Sequence, residues 1–286
     1  MNYSAAVDPT FEVFPSTNLT AFENTPVTTM TICVLIFSLL FGLPTHSYVI
    51  WLIITRTGNG VASEFLNLNL TVCEIIFCLF ALIYLQKLIS PSHQELVRLI
   101  TLRFLTGNII TVRPLFQCLM CVERYLAVVH PVTFLKYKPL RYRVICCTVA
   151  WIAGLGSCFF CIFILMSLKI FMWFSFVQFL LFFSIQLFCL VAVLRALKQS
   201  GPGERGRERE EENHMKRRAF KIIVILTVTM LIIVLPFIIS RFLNILLQKD
   251  VEEVSVFSLF CFVLGGFVPA VLYLRRVGKL PFFKPP

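Results

Sequence analysis

"TVRPLFQCLMCVERY", Thr111–Tyr125, decides how this chain is read. The stretch is apolar enough to belong to a lipid-spanning helix, yet it sets Arg113 beside Pro114 and closes on Glu123, Arg124 and Tyr125. An isolated charge at the centre of a spanning helix costs about 2.5–3.5 kcal/mol on insertion scales. If the stretch spans a bilayer, Arg113 therefore needs a partner. The rest of the chain supports a span: of 286 residues 58% are hydrophobic and only 14% charged, with 30 phenylalanines, and mean hydropathy is +0.86. This is far from the usage of a soluble domain.

A spanning helix needs about 20 largely apolar residues. Seven such runs occur: Met30 to Ile54, Phe65 to Leu85, Val97 to Val129, Val144 to Phe163, Phe171 to Leu194, Phe220 to Leu247 and Val254 to Tyr273. The third is the most interrupted, by Arg98, Arg103, Asn108 and Arg113. The expected fold is an all-α membrane protein, a bundle of seven transmembrane helices. Basic residues mark the cytoplasmic side of such proteins. With the N-terminus outside, 18 of the 26 Lys and Arg flank the runs on the inner side and 6 on the outer, which predicts an N-out, C-in chain. The net charge of +11 then serves topology, and nucleic acid is not an expected partner.

Residues 1–29 read as an extracellular tail and 30–277 as the membrane domain, with a long third inner loop at about 198–216; residues 278–286 read as a short cytoplasmic tail. The first 29 residues lack Lys and Arg and have no compact apolar core, so no cleaved leader is expected. Asn2-Tyr-Ser and Asn18-Leu-Thr are glycan acceptor triplets in that tail. The 11 cysteines lie in or beside the apolar runs with no metal-ligand spacing. His-Glu-x-x-His and Gly-x-Ser-x-Gly are absent, and "GLGSC" around Ser157 reads as helix packing. No catalytic residue, metal or cofactor is expected.

Seven spans, Glu123-Arg124-Tyr125 followed by Ala127-Val128-Val129-His130-Pro131, and Trp151 in the fourth run together resemble the rhodopsin-like (class A) G-protein-coupled receptors, over roughly residues 30 to 280. Gly42-Leu43-Pro44 with Trp51, Asn69-Leu70, Pro236 and Tyr273 extend the match. The Gly-Leu-Pro…Trp pattern looks most like the branch of nucleotide, protease-activated and lipid-mediator receptors. The resemblance implies a plasma-membrane, multi-pass receptor that carries an unknown ligand's signal to a heterotrimeric G protein. It makes Glu123 the lock, Arg124 the switch and Tyr125 a loop contact, with Tyr273 in the same switch and Pro114, Pro236 and Pro269 as helix hinges. Membrane lipids are the remaining partner.

Departures from the family pattern point to a second reading, a receptor-derived heptahelical protein that is constitutively biased or non-signalling and acts through membrane partners. Leu99 stands at the family's outer helix 3 cysteine and Val234 at its helix 6 tryptophan. The fifth run has no proline, and Pro269 comes one residue before the family's seventh-helix pattern. No lysine lies in the core of the seventh run, which excludes a retinal Schiff base.

In the family a helix 2 aspartate, a helix 1 asparagine and a small hydroxyl residue of helix 3 surround a sodium ion. The resemblance puts Glu74, His46 and Arg113 at those places. Depth, counted independently at 1.5 Å per residue, agrees: Arg113 lies about 16 Å, Glu74 about 15 Å and His46 about 12 Å from the inner ends of their runs. One reading pairs Arg113 with Glu74, the guanidinium replacing the sodium ion. The other has Arg113 bonded to carbonyls or water beside a protonated Glu74. Pro114 frees a carbonyl one turn earlier, which Arg113 or water would satisfy.

Overall fold

The computed structural model describes residues 26–55, 64–89, 95–137, 140–163, 168–198, 207–247 and 252–278. Asn2 and Asn18 lie outside the described residues. All seven apolar runs are helices. In chain order they are α1 (Pro26–Thr55), α2 (Phe65–Ile89), α3 (95–129), α4 (Leu140–Phe163), α5 (Leu168–Lys198), α6 (Arg207–Leu247) and α7 (Glu252–Val277). A short helix, Pro131–Tyr137, joins α3 to α4. Helix α6 begins well inside the segment expected as the third inner loop, because the mixed Glu, Arg and Lys content from Arg207 onward favours helix.

Seven helices of membrane length and apolarity make this a multi-pass membrane bundle. Lipid offers no hydrogen bonds, so each helix satisfies its own backbone. The hydroxyls follow the same rule: Thr31, Thr55, Thr71, Thr101, Thr106, Thr148, Thr227 and Thr229 each donate to the carbonyl four residues earlier. Large apolar side chains such as Leu40, Trp51, Ile152 and Phe188 are exposed on the outside of the bundle, as suits a surface solvated by lipid tails.

The interruptions in the third run are explained by position. Of its most apolar window 78% is buried, against 17% for α1. Helix α3 is the central post and does not need a lipid-compatible surface. Helix α4 approaches it closely through glycine: a Cβ at Gly107 would stand 2.9 Å from Cys158 Cα, and one at Gly154 would stand 3.0 Å from Val112. Trp151 of α4 donates its indole N–H to Asn69 of α2 at 2.9 Å and stacks obliquely on Phe116 of α3. Thr111 ties three helices at once, donating to Gln178 Oε1 of α5 at 2.7 Å and accepting from Ser157 of α4 at 2.6 Å.

Two π-helical turns interrupt the spans, Ser38–Gly42 in α1 and Asn108–Val112 in α3. Each stands just ahead of a proline, Pro44 or Pro114, whose ring nitrogen cannot donate to the carbonyl four residues back. The helix absorbs the lost bond by widening; Arg113 N–H bonds Asn108 O, five residues back. One inserted residue turns everything on one side of the bulge relative to the other. Arg113 directly follows its π turn and His46 lies one helical turn beyond the other, so the prolines set how the two polar side chains enter the interior.

Candidate functional site

The guanidinium of Arg113 and the carboxylate of Glu74 form an ion pair in the middle of the bundle, at 1% and 4% exposure. Arg113 Nη2 donates to Glu74 Oε2, and Nη1 donates across to the Phe262 carbonyl of α7. Of the two groups read as able to satisfy the carbonyl freed by Pro114, Arg113 or water, the Arg113 guanidinium bonds a carbonyl of a different helix. Its Cζ lies 3.4 Å from the centroid of the Phe262 ring, a cation–π contact in a dry site. Two charges removed from water are tolerable only when each is paired and bonded further, and α7 supplies the additional acceptor.

Gly266 makes the room. A Cβ there would stand 2.8 Å from both Arg113 Nη2 and Glu74 Oε2. Neither Phe262 nor Gly266 was singled out from sequence, although Gly265-Gly266 in the middle of an apolar run was the available signal. His46 completes the layer from α1 at 3% exposure, its ring 6.0 Å from and nearly parallel to that of Phe267. Its Nδ1, together with Glu74 Oε1 and Arg113 Nε, has no hydrogen-bond partner among the described residues. One turn further along α3, Gln117 is 1% exposed.

At the basic end of the bundle the acids are divided differently from expectation. Glu123, expected as the lock on its neighbour Arg124, instead accepts from Arg143 of α4 at 2.6 Å. Arg143 of the neighbouring helix stands opposite this carboxylate and donates to its Oε1. Among the described residues Arg124 forms no ion pair. Glu64, at the start of α2, is 6% exposed and is paired with Arg276 of α7, while Asn67 donates to its other oxygen at 3.0 Å. Tyr125 shares a hydrogen bond with His130 at 3.0 Å, beside the turn to the short helix. Tyr273 is buried, at 2%, in the α1–α7 cluster with Val49, Ile53 and Ala270. Pro236 and Pro269 lie inside α6 and α7. The sequence-derived residues thus fall into two sites, a mid-bundle layer and a charged basic end.

A family model described as the seven-transmembrane receptor of the rhodopsin family matches residues 45–272. Proteinase-activated receptor 3 of Rattus norvegicus is 26% identical over 124 residues, 42% of this chain and 33% of that protein. Proteinase-activated receptor 3 of Homo sapiens is 26% identical over 113 residues, 38% of this chain and 30% of that one. These matches span about a third of the length of the relatives.

Proposed function

Because this chain belongs to the rhodopsin family of seven-transmembrane receptors, we propose that it carries an extracellular signal across the plasma membrane to heterotrimeric G proteins, with its N-terminus outside and Arg124 as the coupling residue. The distribution of Lys and Arg supports that orientation. The observation that carries the coupling role is the state of Arg124, a guanidinium at the end of the central helix with no ion pair among the described residues, next to an acid that accepts from Arg143. An arginine at a helix end can extend its head toward the interface and exchange partners at low cost. Arg124 is therefore available to a cytoplasmic protein without first breaking an ion pair.

The same observation favours a second reading, a receptor biased toward activity without ligand. In the family the acid beside this arginine restrains it at rest, and here that acid is held by α4. A panel of G-protein reporters in cells, comparing the wild type with Arg124→Ala at matched surface expression, tests both. Signal that is lost in the variant supports coupling through Arg124, and signal present before any ligand is added supports the biased reading. Identical traces from wild type and variant across the panel would remove the G-protein proposal.

A further inference from the structure

The cations of this chain are treated unequally. Arg113, Arg143 and Arg276 each have a carboxylate, and Arg103 donates to the Ile162 carbonyl at 2.7 Å. Five others, Arg195 and Lys198 of α5 and Arg217, Arg218 and Lys221 of α6, are exposed and form no ion pair among the described residues. Nor does their own helix supply an acid one turn away. The residues three and four positions before and after each are apolar, neutral or basic, the nearest being Asn213, His214 and Gln199. Glu208, Glu210, Glu211 and Glu212 all come earlier in α6, where Glu212 stands four residues before Lys216 rather than near Arg217. Instead the five repeat like charge at helical contact spacing: Arg195 with Lys198, Arg218 with Lys221, and Arg217 with Lys221. Such spacing is unfavourable in an isolated helix.

All five lie where the apolar part of their helix ends, the depth of phospholipid phosphates. The inward residues between them, Val193 and Leu197 of α5 and Phe220 and Ile223 of α6, belong to one apolar cluster, and α5 packs along α6, so the cations stand on the outward faces of two adjacent helices. Basic clusters between membrane helices are sites for polyanionic headgroups.

We infer that the α5–α6 seam binds one lipid whose headgroup carries several phosphates, its phosphates bridging Arg195 and Lys198 to Arg217, Arg218 and Lys221. An anion of several charges relieves the repulsion within each helix and ties the end of α5 to the start of the apolar part of α6. A single-charge headgroup neutralises one cation and leaves the others facing each other. The inference rests on the proposed orientation only in assigning the site to the inner leaflet.

Thermal unfolding of the purified full chain in detergent tests it. Nine of the eleven cysteines are buried, so a thiol-reactive fluorogenic dye reports melting. Dioctanoyl phosphatidylinositol bisphosphate is titrated against dioctanoyl phosphatidylserine, dioctanoyl phosphatidylcholine and free inositol trisphosphate. The bisphosphate lipid is expected to raise Tm by roughly 5 °C at a hundredfold excess over its Kd, with saturation, and the other two lipids by much less. In R217Q/R218Q/K221Q the shift is expected to vanish, and in R195Q/K198Q to fall, while R141Q, an exposed cation of α4 at the same end, keeps it. These are surface positions, and an unchanged Tm without lipid shows that the variants fold. Equal shifts from bisphosphate lipid and phosphatidylserine, an undiminished shift in the triple variant, or an equal shift from free inositol trisphosphate would each overturn the inference, the last by making the site one for a soluble anion.

Discussion

Arg113 of α3 and Glu74 of α2 meet as a buried ion pair whose third wall is the backbone of α7, with the Phe262 carbonyl taking one guanidinium N–H and Gly266 leaving space for both side chains. Three helices are thereby joined at a depth where neither charge is tolerable alone. What looked like a fault in a membrane helix is the tie between its neighbours.

Removing one partner should be costly. Arg113→Gln leaves Glu74 buried beside an amide, and the loss expected on breaking a buried pair is about 3–5 kcal/mol. Folded yield in detergent and Tm should both fall sharply. Glu74→Arg should be worse, and Glu74→Arg with Arg113→Glu should recover part of the loss, since the swapped pair no longer has its cation placed to donate to Phe262. Normal yield and Tm for Arg113→Gln would show that the pair is not structural.

Gly266→Ala should destabilise by about 1–3 kcal/mol, the usual penalty for overfilling a packed interior, because the new methyl collides with both charged groups. Gly156→Ala, where nothing lies within 4 Å of the added carbon, should stay within about 0.5 kcal/mol of wild type. Thermal unfolding of the two variants side by side separates a steric effect from a general effect of helical alanine.

Arg143→Gln should lower signalling in the absence of ligand. With its partner gone, Glu123 can turn to Arg124, and competition of the strength of a partly exposed pair, about 0.5–1 kcal/mol, corresponds to a two- to fivefold reduction. Basal reporter activity normalised to surface expression measures it. A rise in basal activity would mean that the Glu123–Arg143 pair restrains the bundle rather than freeing Arg124.

Sodium should have no specific effect on this protein. The family resemblance implies a sodium ion at the helix 2 acid, but here a tethered guanidinium occupies that carboxylate. Tm in sodium chloride is expected to equal Tm in choline chloride at the same ionic strength. A sodium-dependent rise would require Glu74 to be open to a free ion.

The number and order of the spans were legible in the sequence because they depend on local content, runs of apolar residues long enough to cross lipid. The depth of His46, Glu74 and Arg113 was legible for a related reason, since helical rise is constant and position along a helix can be counted. What counting cannot supply is rotation. Whether two side chains at one depth face each other depends on how each helix turns about its axis, and the π turns before Pro44 and Pro114 alter that turn by an inserted residue. Gly266 and the Phe262 carbonyl join the pair from nearly 150 residues along the chain, with no mark in their own neighbourhood beyond two adjacent glycines.

The basic end shows the same division from the opposite side. Adjacency in sequence put Glu123 with Arg124, and tertiary packing gave Glu123 to Arg143 and Glu64 to Arg276. Which cation the next helix brings opposite an acid depends on packing between helices, which adjacency in sequence does not encode. The sequence by itself determined that this is a seven-helix membrane protein carrying charge in its interior. Only the tertiary structure decided which charges meet and which, like Arg124, form no ion pair among the described residues.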